Sequence, residues 1–184
     1  MIYYIYNKQL VERSQLIFEK RKEFLENFIP VFKRFYKYIS GKNENISINY
    51  ESHLFDDSHI SLLEKSIKKD RLVQYTSTGI HKDDIIFLLE KNPIKKFGSQ
   101  GQQKTFLIAL KLAQFEFLKN QTGQSPILLF DDAFDKLDQN RVTQIISLVD
   151  EKNFGQIFIT DTHKDRILKA LKKIKSSFEI YKLI

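Results

Sequence analysis

Ile127-Leu128-Leu129-Phe130-Asp131-Asp132 is a run of four apolar residues closed by two carboxylates. Pro126 precedes it, and a continuous apolar run this short predicts a strand buried on both faces. Its acids then stand at the C-terminal tip of a buried strand, where α/β sheets bind their ligands. Outward along the chain, residues 139–151 read as a helix, and Ile157-Phe158-Ile159 is a second apolar run. Strand, helix, strand at this spacing is a parallel crossover unit, so the second half of the chain belongs to an α/β layer.

A strand tip with paired acids is the geometry of a Walker B element. Asp131 would hold Mg²⁺, directly or through water, and Asp132 would orient or deprotonate the attacking water. The alternative is a strand that ends in a polar turn. Upstream, Ser99-Gln100-Gly101-Gln102-Gln103 feeds the strongest helical pattern, residues 102–119, with Phe106, Ala109, Leu110, Ala113 and Phe117 on its apolar face. A Ser/Gly loop at a helix N-terminus offers free amides to a phosphate, though Ser99 or Gln100 would serve equally as a helix cap. Downstream come Leu137-Asp138 and, after the second apolar run, Thr160-Asp161-Thr162-His163.

The first half is plainer. Leu10, Ile17, Leu25, Phe28, Phe32, Phe35, Tyr36 and Ile39 recur at helical spacing, with Pro30 expected to kink the helix or start a second one. Residues 40–44 close that segment. Residues 46–50 alternate as a half-buried strand, 56–69 return to helical spacing, and 73–89 read as strand-rich around the turn Gly79-Ile80-His81-Lys82-Asp83-Asp84. His81, Asp83 and Asp84 lack a supporting second ligand for a metal, which favours a structural turn. The tail reads as a basic helix over 164–175 and a short strand over 178–181.

Of 184 residues 42% are hydrophobic, enough for a core, and 29% are charged, with no run long and apolar enough for a membrane helix and no signal peptide. A cytoplasmic location is the expectation. Zero cysteines exclude disulfides and thiolate metal sites. The formal charge of +7, carried mostly by lysine, suits a polyanion bound without sequence readout, or a lysine-rich proteome.

The order of these parts resembles the signature, Walker B, D-loop and switch elements of ABC-type ATPases. Phe97-Gly98-Ser99-Gln100-Gly101-Gln102-Gln103-Lys104-Thr105, followed by Ala109-Leu110-Lys111-Leu112-Ala113, is similar to the signature helix of the RecF family. Gly79-Ile80-His81-Lys82-Asp83-Asp84 resembles that family's Gly-Pro-His-Arg-Asp-Asp segment.

The resemblance implies the C-terminal half of an ABC-type ATPase head, parallel strands with flanking helices, plus a helical lobe. Residues 1–72 would be the helical second lobe with a short strand, and 73–184 the C-terminal part of the ATPase domain. It further implies ATP and Mg²⁺ as cofactors, with Ser99, Gln100, Gly101 and Gln102 touching the nucleotide in trans, Asp131 serving Mg²⁺, Asp132 the water, and Asp138 the communication between sites. His163 would be the switch residue, although Asp161 holds the place where the family's histidine usually stands. The implied activity is an ATP-dependent DNA clamp at single-strand gaps and double/single-strand junctions. Its partners would be double- and single-stranded DNA, a second copy in the presence of ATP, and RecR, with RecO, in recombinase loading. No Gly-x-x-x-x-Gly-Lys-Ser/Thr occurs among the six glycines, so the chain alone is expected to be inactive as an ATPase. The alternatives are an SMC-like or RecN-like ATPase half, and a non-catalytic half-domain that contacts only DNA or a partner.

Overall fold

The computed structural model of the chain describes residues 2–41, 44–151 and 154–182, the first four of these by backbone alone. The element order is α1 (Ile2–Ser40), β1 (Ile46–Glu51), a 3-10 turn (His53–Phe55), α2 (His59–Val73), a second 3-10 turn (Ile80–Lys82), β2 (Asp84–Leu89), β3 (Asn92–Pro93), α3 (Ile94–Phe97), α4 (Gln100–Thr122), β4 (Leu128–Phe130), α5 (Gln139–Glu151), β5 (Ile157–Ile159) and α6 (Lys164–Leu171).

The chain folds as two compact units, one of residues 1–30 and 46–93, the other of residues 31–45 and 94–184. This differs from a division at 72/73, and the cause is strand pairing. β2 runs antiparallel to β1, with Ile46 opposite Leu89 and Glu51 opposite Asp84, so residues 84–89 fold with the first lobe. Pro30 is the last α1 residue of the first unit, but it does not end the helix, which runs unbroken to Ser40. Both Pro30 and Glu26, whose carbonyl loses its amide partner, are exposed, so water can take the unmade bond.

In the first unit, α1 buries Ser14 and Phe18, while Leu10 and Ile17 stay 42% and 38% exposed, a rotation of the expected face. The Ser14 hydroxyl explains it. It bonds back to the Leu10 carbonyl at 2.7 Å and meets the buried ring of His59, which opens α2. Phe18, Tyr50 and Phe55 form an aromatic cluster with centroids 4.9–5.8 Å apart. Residues 73–83 contain no strand, because Asp70, Ser66 and Ser77 bond into a turn instead.

In the second unit, Phe32 and Tyr36 of α1 pack on Phe106 of α4, with centroids 4.6 and 5.9 Å apart. The buried face of α4 is Thr105, Phe106, Ile108, Ala109, Leu112, Ala113 and Phe115, while Leu110 and Phe117 are half-buried. β4 and β5 pair in parallel, Leu128 with Ile157 and Phe130 with Ile159, as the crossover predicts. Double-sided burial does not hold. Leu128 and Phe130 are buried, but Leu129 is 69% and Phe158 52% exposed, so within this chain the sheet is covered on one face. α5 buries Val142, Ile145, Ile146, Leu148 and Val149, each worth roughly 1.5–3 kcal/mol in removal from water. α6 stops at Leu171, and residues 178–181 form no strand.

Candidate functional site

α4 begins with a capping box. Ser99 Oγ accepts the Gln102 amide at 3.2 Å, and Gln102 Oε1 accepts the Ser99 amide at 2.8 Å. That is the structural role foreseen for Ser99, and it leaves chemistry available. A serine hydroxyl that accepts here still has its own proton to donate, and the amides of Gln100 and Gly101 have no partner among the described residues. Gln100 is exposed, whereas Gln102 turns inward, its Nε2 donating to Glu44 at 3.2 Å. A Cβ on Gly101 would lie 3.1 Å from the Lys136 carbonyl oxygen, tighter than an ordinary contact. The first turn of α4 thus lies against the loop that carries Asp138. Gly98 is tighter still, 2.7 Å from the Ile94 carbonyl.

The two acids after β4 are held by their surroundings in different ways. Thr160, just past β5, donates its hydroxyl to Asp131 Oδ1 at 2.6 Å and accepts the Asp132 amide at 2.9 Å. Lys104 of α4 donates to the Asp132 carbonyl at 2.8 Å. The backbone of Asp132 is therefore fixed from both sides in a left-handed conformation, φ +43°, while its carboxylate is exposed and unbonded among the described residues. Asp131 keeps one oxygen, Oδ2, similarly open. No group of three His, Asp or Glu that could cage a metal occurs among the described residues. A single carboxylate at a strand tip suits Mg²⁺, which takes one or two carboxylates and fills its remaining positions with phosphate and water.

Asp138 caps α5, its Oδ1 accepting the Arg141 amide at 2.9 Å. Of the two switch candidates, Asp161 is committed to the fold. Its carboxylate, 3% exposed, accepts the His163 amide at 2.6 Å and Arg166 at 2.8 Å. His163 is 67% exposed and its ring meets Thr162 at 3.0 Å; no hydrogen bond joins it to Asp131 or Asp132. Around Asp131 and Asp132 the structure gathers Thr160 and Lys104, whose parts sequence reasoning had not assigned.

In the turn over 79–84, Asp83 and His81 serve the fold. Asp83 accepts Arg21 at 2.7 Å and the Tyr50 hydroxyl at 2.5 Å, and His81 bonds the Thr76 carbonyl at 2.8 Å.

Comparison with known proteins gives the family of the chain. The chain is 56% identical over 179 residues to the DNA replication and repair protein RecF of Flavobacterium johnsoniae, covering 97% of this chain and 50% of the relative. The chain belongs to the RecF family. The protein of the same description from Bacteroides thetaiotaomicron is 45% identical over 183 residues, 99% of this chain and 49% of its own length. The chain thus spans about half the length of these curated relatives, and it fits their C-terminal half. Among solved structures it superposes on the recombination mediator protein RecF of the RecFOR pathway. Against RecF-ATPrS the TM-score is 0.70 at 30% identity, over 90% of this chain and 46% of that one; against RecF-ATP it is 0.69 at 29%, over 88% and 45%. No family model matches the chain. No described helix is long and apolar enough to cross a membrane.

Proposed function

We propose that this RecF-family chain supplies the signature, Walker B and D-loop portion of an ATP-driven DNA clamp serving DNA replication and recombinational repair. Its relatives are described as DNA replication and repair proteins, and its structural neighbours as a recombination mediator with bound ATP in the RecFOR pathway. Applied to this chain, two protomers close over nucleotide. The Ser99 hydroxyl and the Gln100 and Gly101 amides meet the γ-phosphate held by the other protomer. Asp131 would hold Mg²⁺, which would supply neutralisation of the phosphate charge. Asp132 orients the attacking water, and Asp138 lies at the contact between sites. The closed dimer grips double- or single-stranded DNA at a junction and engages RecR, with RecO, in recombinase loading. The compartment is the cytoplasm.

The observation that carries this reading is the convergence on Asp132. α4 reaches it through Lys104 and β5 through Thr160, so the signature helix and both strand tips share one brace. Only the carboxylate is left outside it. The test is Asp132→Asn in the full-length protein that carries this half. Removing the charge that positions water should lower ATP hydrolysis by about a hundredfold while ATP-dependent dimerisation, followed by sedimentation, persists. Hydrolysis within a few fold of the parent would remove Asp132 from the reaction.

A further inference from the structure

Several segments of the second unit meet at one guanidinium. Arg141, in the first turn of α5, has a side chain only 16% exposed, and its partner Glu44 is 17% exposed. Arg141 Nη2 donates to Glu44 Oε1 at 2.8 Å, Nη1 donates to Thr105 Oγ1 at 2.9 Å, and Nε lies 3.3 Å from Asp138 Oδ2. The Thr105 hydroxyl in turn donates to the Gly101 carbonyl at 2.8 Å. Glu44 also receives Gln102 Nε2 and, on its other oxygen, the buried Tyr36 hydroxyl. Gly101 through Thr105, Gln102 through Glu44, and the carboxylate of Asp138 directly are thus tied to the same side chain.

Stability alone does not call for such a pair. Desolvation offsets most of the attraction between buried ions, and α5 already packs through Val142, Ile145 and Ile146. What the pair adds is direction, because a planar guanidinium holds several acceptors at fixed angles, which neither an apolar side chain nor a lysine can do. We propose that Arg141, seated on Glu44, is a positioning residue that locks the signature turn 99–102 to Asp138, so that the trans phosphate contact and the D-loop contact are made or lost together. This rests on the clamp reading above.

The test uses Arg141→Gln, Arg141→Lys and Glu44→Gln in the full-length protein, at a temperature where thermal melts show each variant folded. ATP binding by the single protomer should stay within about twofold of the parent. ATP-dependent dimerisation should weaken roughly tenfold in Arg141→Gln and nearly as much in Arg141→Lys, and adding Glu44→Gln to Arg141→Gln should weaken it no further. A merely structural arginine would lower the melting temperature and leave the dimer constant of folded protein unchanged, which would overturn the proposal. Where Arg141→Gln fails to fold, Arg141→Lys decides by the same measurement, since parental dimerisation there also overturns it. Ser99→Arg, run beside them, separates the two readings. Normal dimerisation of Ser99→Arg would remove the clamp reading itself; a block by Ser99→Arg with normal dimerisation of the Arg141 variants would remove only the coupling.

Discussion

Two polar loops of this chain look alike in sequence and differ in what they do with their polar groups. The turn 79–84 carries a histidine and two aspartates, and the strand tip at 131–132 carries two more. In the turn, Asp83 is 4% exposed and its Oδ2 accepts both Arg21 and Tyr50, His81 is spent on a backbone carbonyl, and the exposed Asp84 accepts the neighbouring Ile85 amide. At the strand tip the bonds run mostly to the backbone, and the Asp132 carboxylate, with one oxygen of Asp131, faces outward. A carboxylate buried within its loop cannot reach a ligand, whereas one with an oxygen facing outward can. The accessibility of the lone pairs, more than residue type, separates Asp83 from Asp131 and Asp132.

The largest effect should come from breaking the turn. Gly79 sits at φ +118°, a conformation side chains rarely adopt, and a Cβ there would lie 2.6 Å from His59 Nε2. Gly79→Val combines backbone strain with overpacking against a buried ring, so it should cost about 3–5 kcal/mol in denaturant unfolding. A loss below about 1 kcal/mol would mean that the turn yields easily and is not the rigid partner in the comparison.

How much of this was legible in the sequence depended on the range of the forces involved. Residues 139–151 were readable because Val142, Ile145, Ile146 and Val149 keep helical spacing, and the structure returns those bounds. The parallel pairing of β4 with β5 followed from the same crossover. Pro30 did not start a second helix, because α1 continues through it at an exposed position where water can take the lost hydrogen bond. The rotation of α1 hung on Ser14 meeting His59, 45 residues away, and the bond of Arg141 to Glu44 spans 97. No local pattern encodes such pairs. One signal was present: Arg141 lies four residues before Ile145 and eight before Val149, which places an arginine on the core-facing stripe of α5.

A smaller effect should appear with pH, and it belongs to the first unit. The pKa of His59 is lowered, chiefly by burial and then by the neighbouring charge of His81, from an ordinary value of 6.5. The folded state therefore favours the neutral ring. Above pH 6.5 neither state binds the proton and His59 has no effect; below it the unfolded chain takes up a proton that the folded chain resists, so stability falls with pH. Asp70 and Asp150 have pKa values lowered from 3.8, by Ser77 and by Ser176 in the first place, so their contributions are lost only in more acid solution. Thermal melts at pH 7.5 and 5.5 should show the loss in the parent and a flatter response in His59→Asn. Equal slopes would remove His59 as the cause.

The smallest effect bears most directly on the strand tip. Asp132 holds φ +43°, where a residue with a Cβ costs about 1 kcal/mol and aspartate or asparagine is tolerated better than most. Glycine would relieve that strain, yet it also loosens the unfolded chain by a similar amount, so Asp132→Gly should leave stability within about 0.5 kcal/mol of the parent. Asp132→Ala keeps the strain and loses the tolerant side chain, and should cost about 1 kcal/mol. At an exposed interior position of α4 such as Lys111 the order is the reverse, with glycine about 1 kcal/mol worse than alanine. The bonds from Thr160 and Lys104 reach the peptide groups of residue 132 and survive all these changes, so unfolding of the variants compares backbone strain alone. If alanine proves no worse than glycine at 132, the strand tip is relaxed and its conformation needs no functional reason. If alanine is the worse of the two, opposite to the order at Lys111, the fold is holding a strained backbone at the strand tip, as it does at sites kept for chemistry.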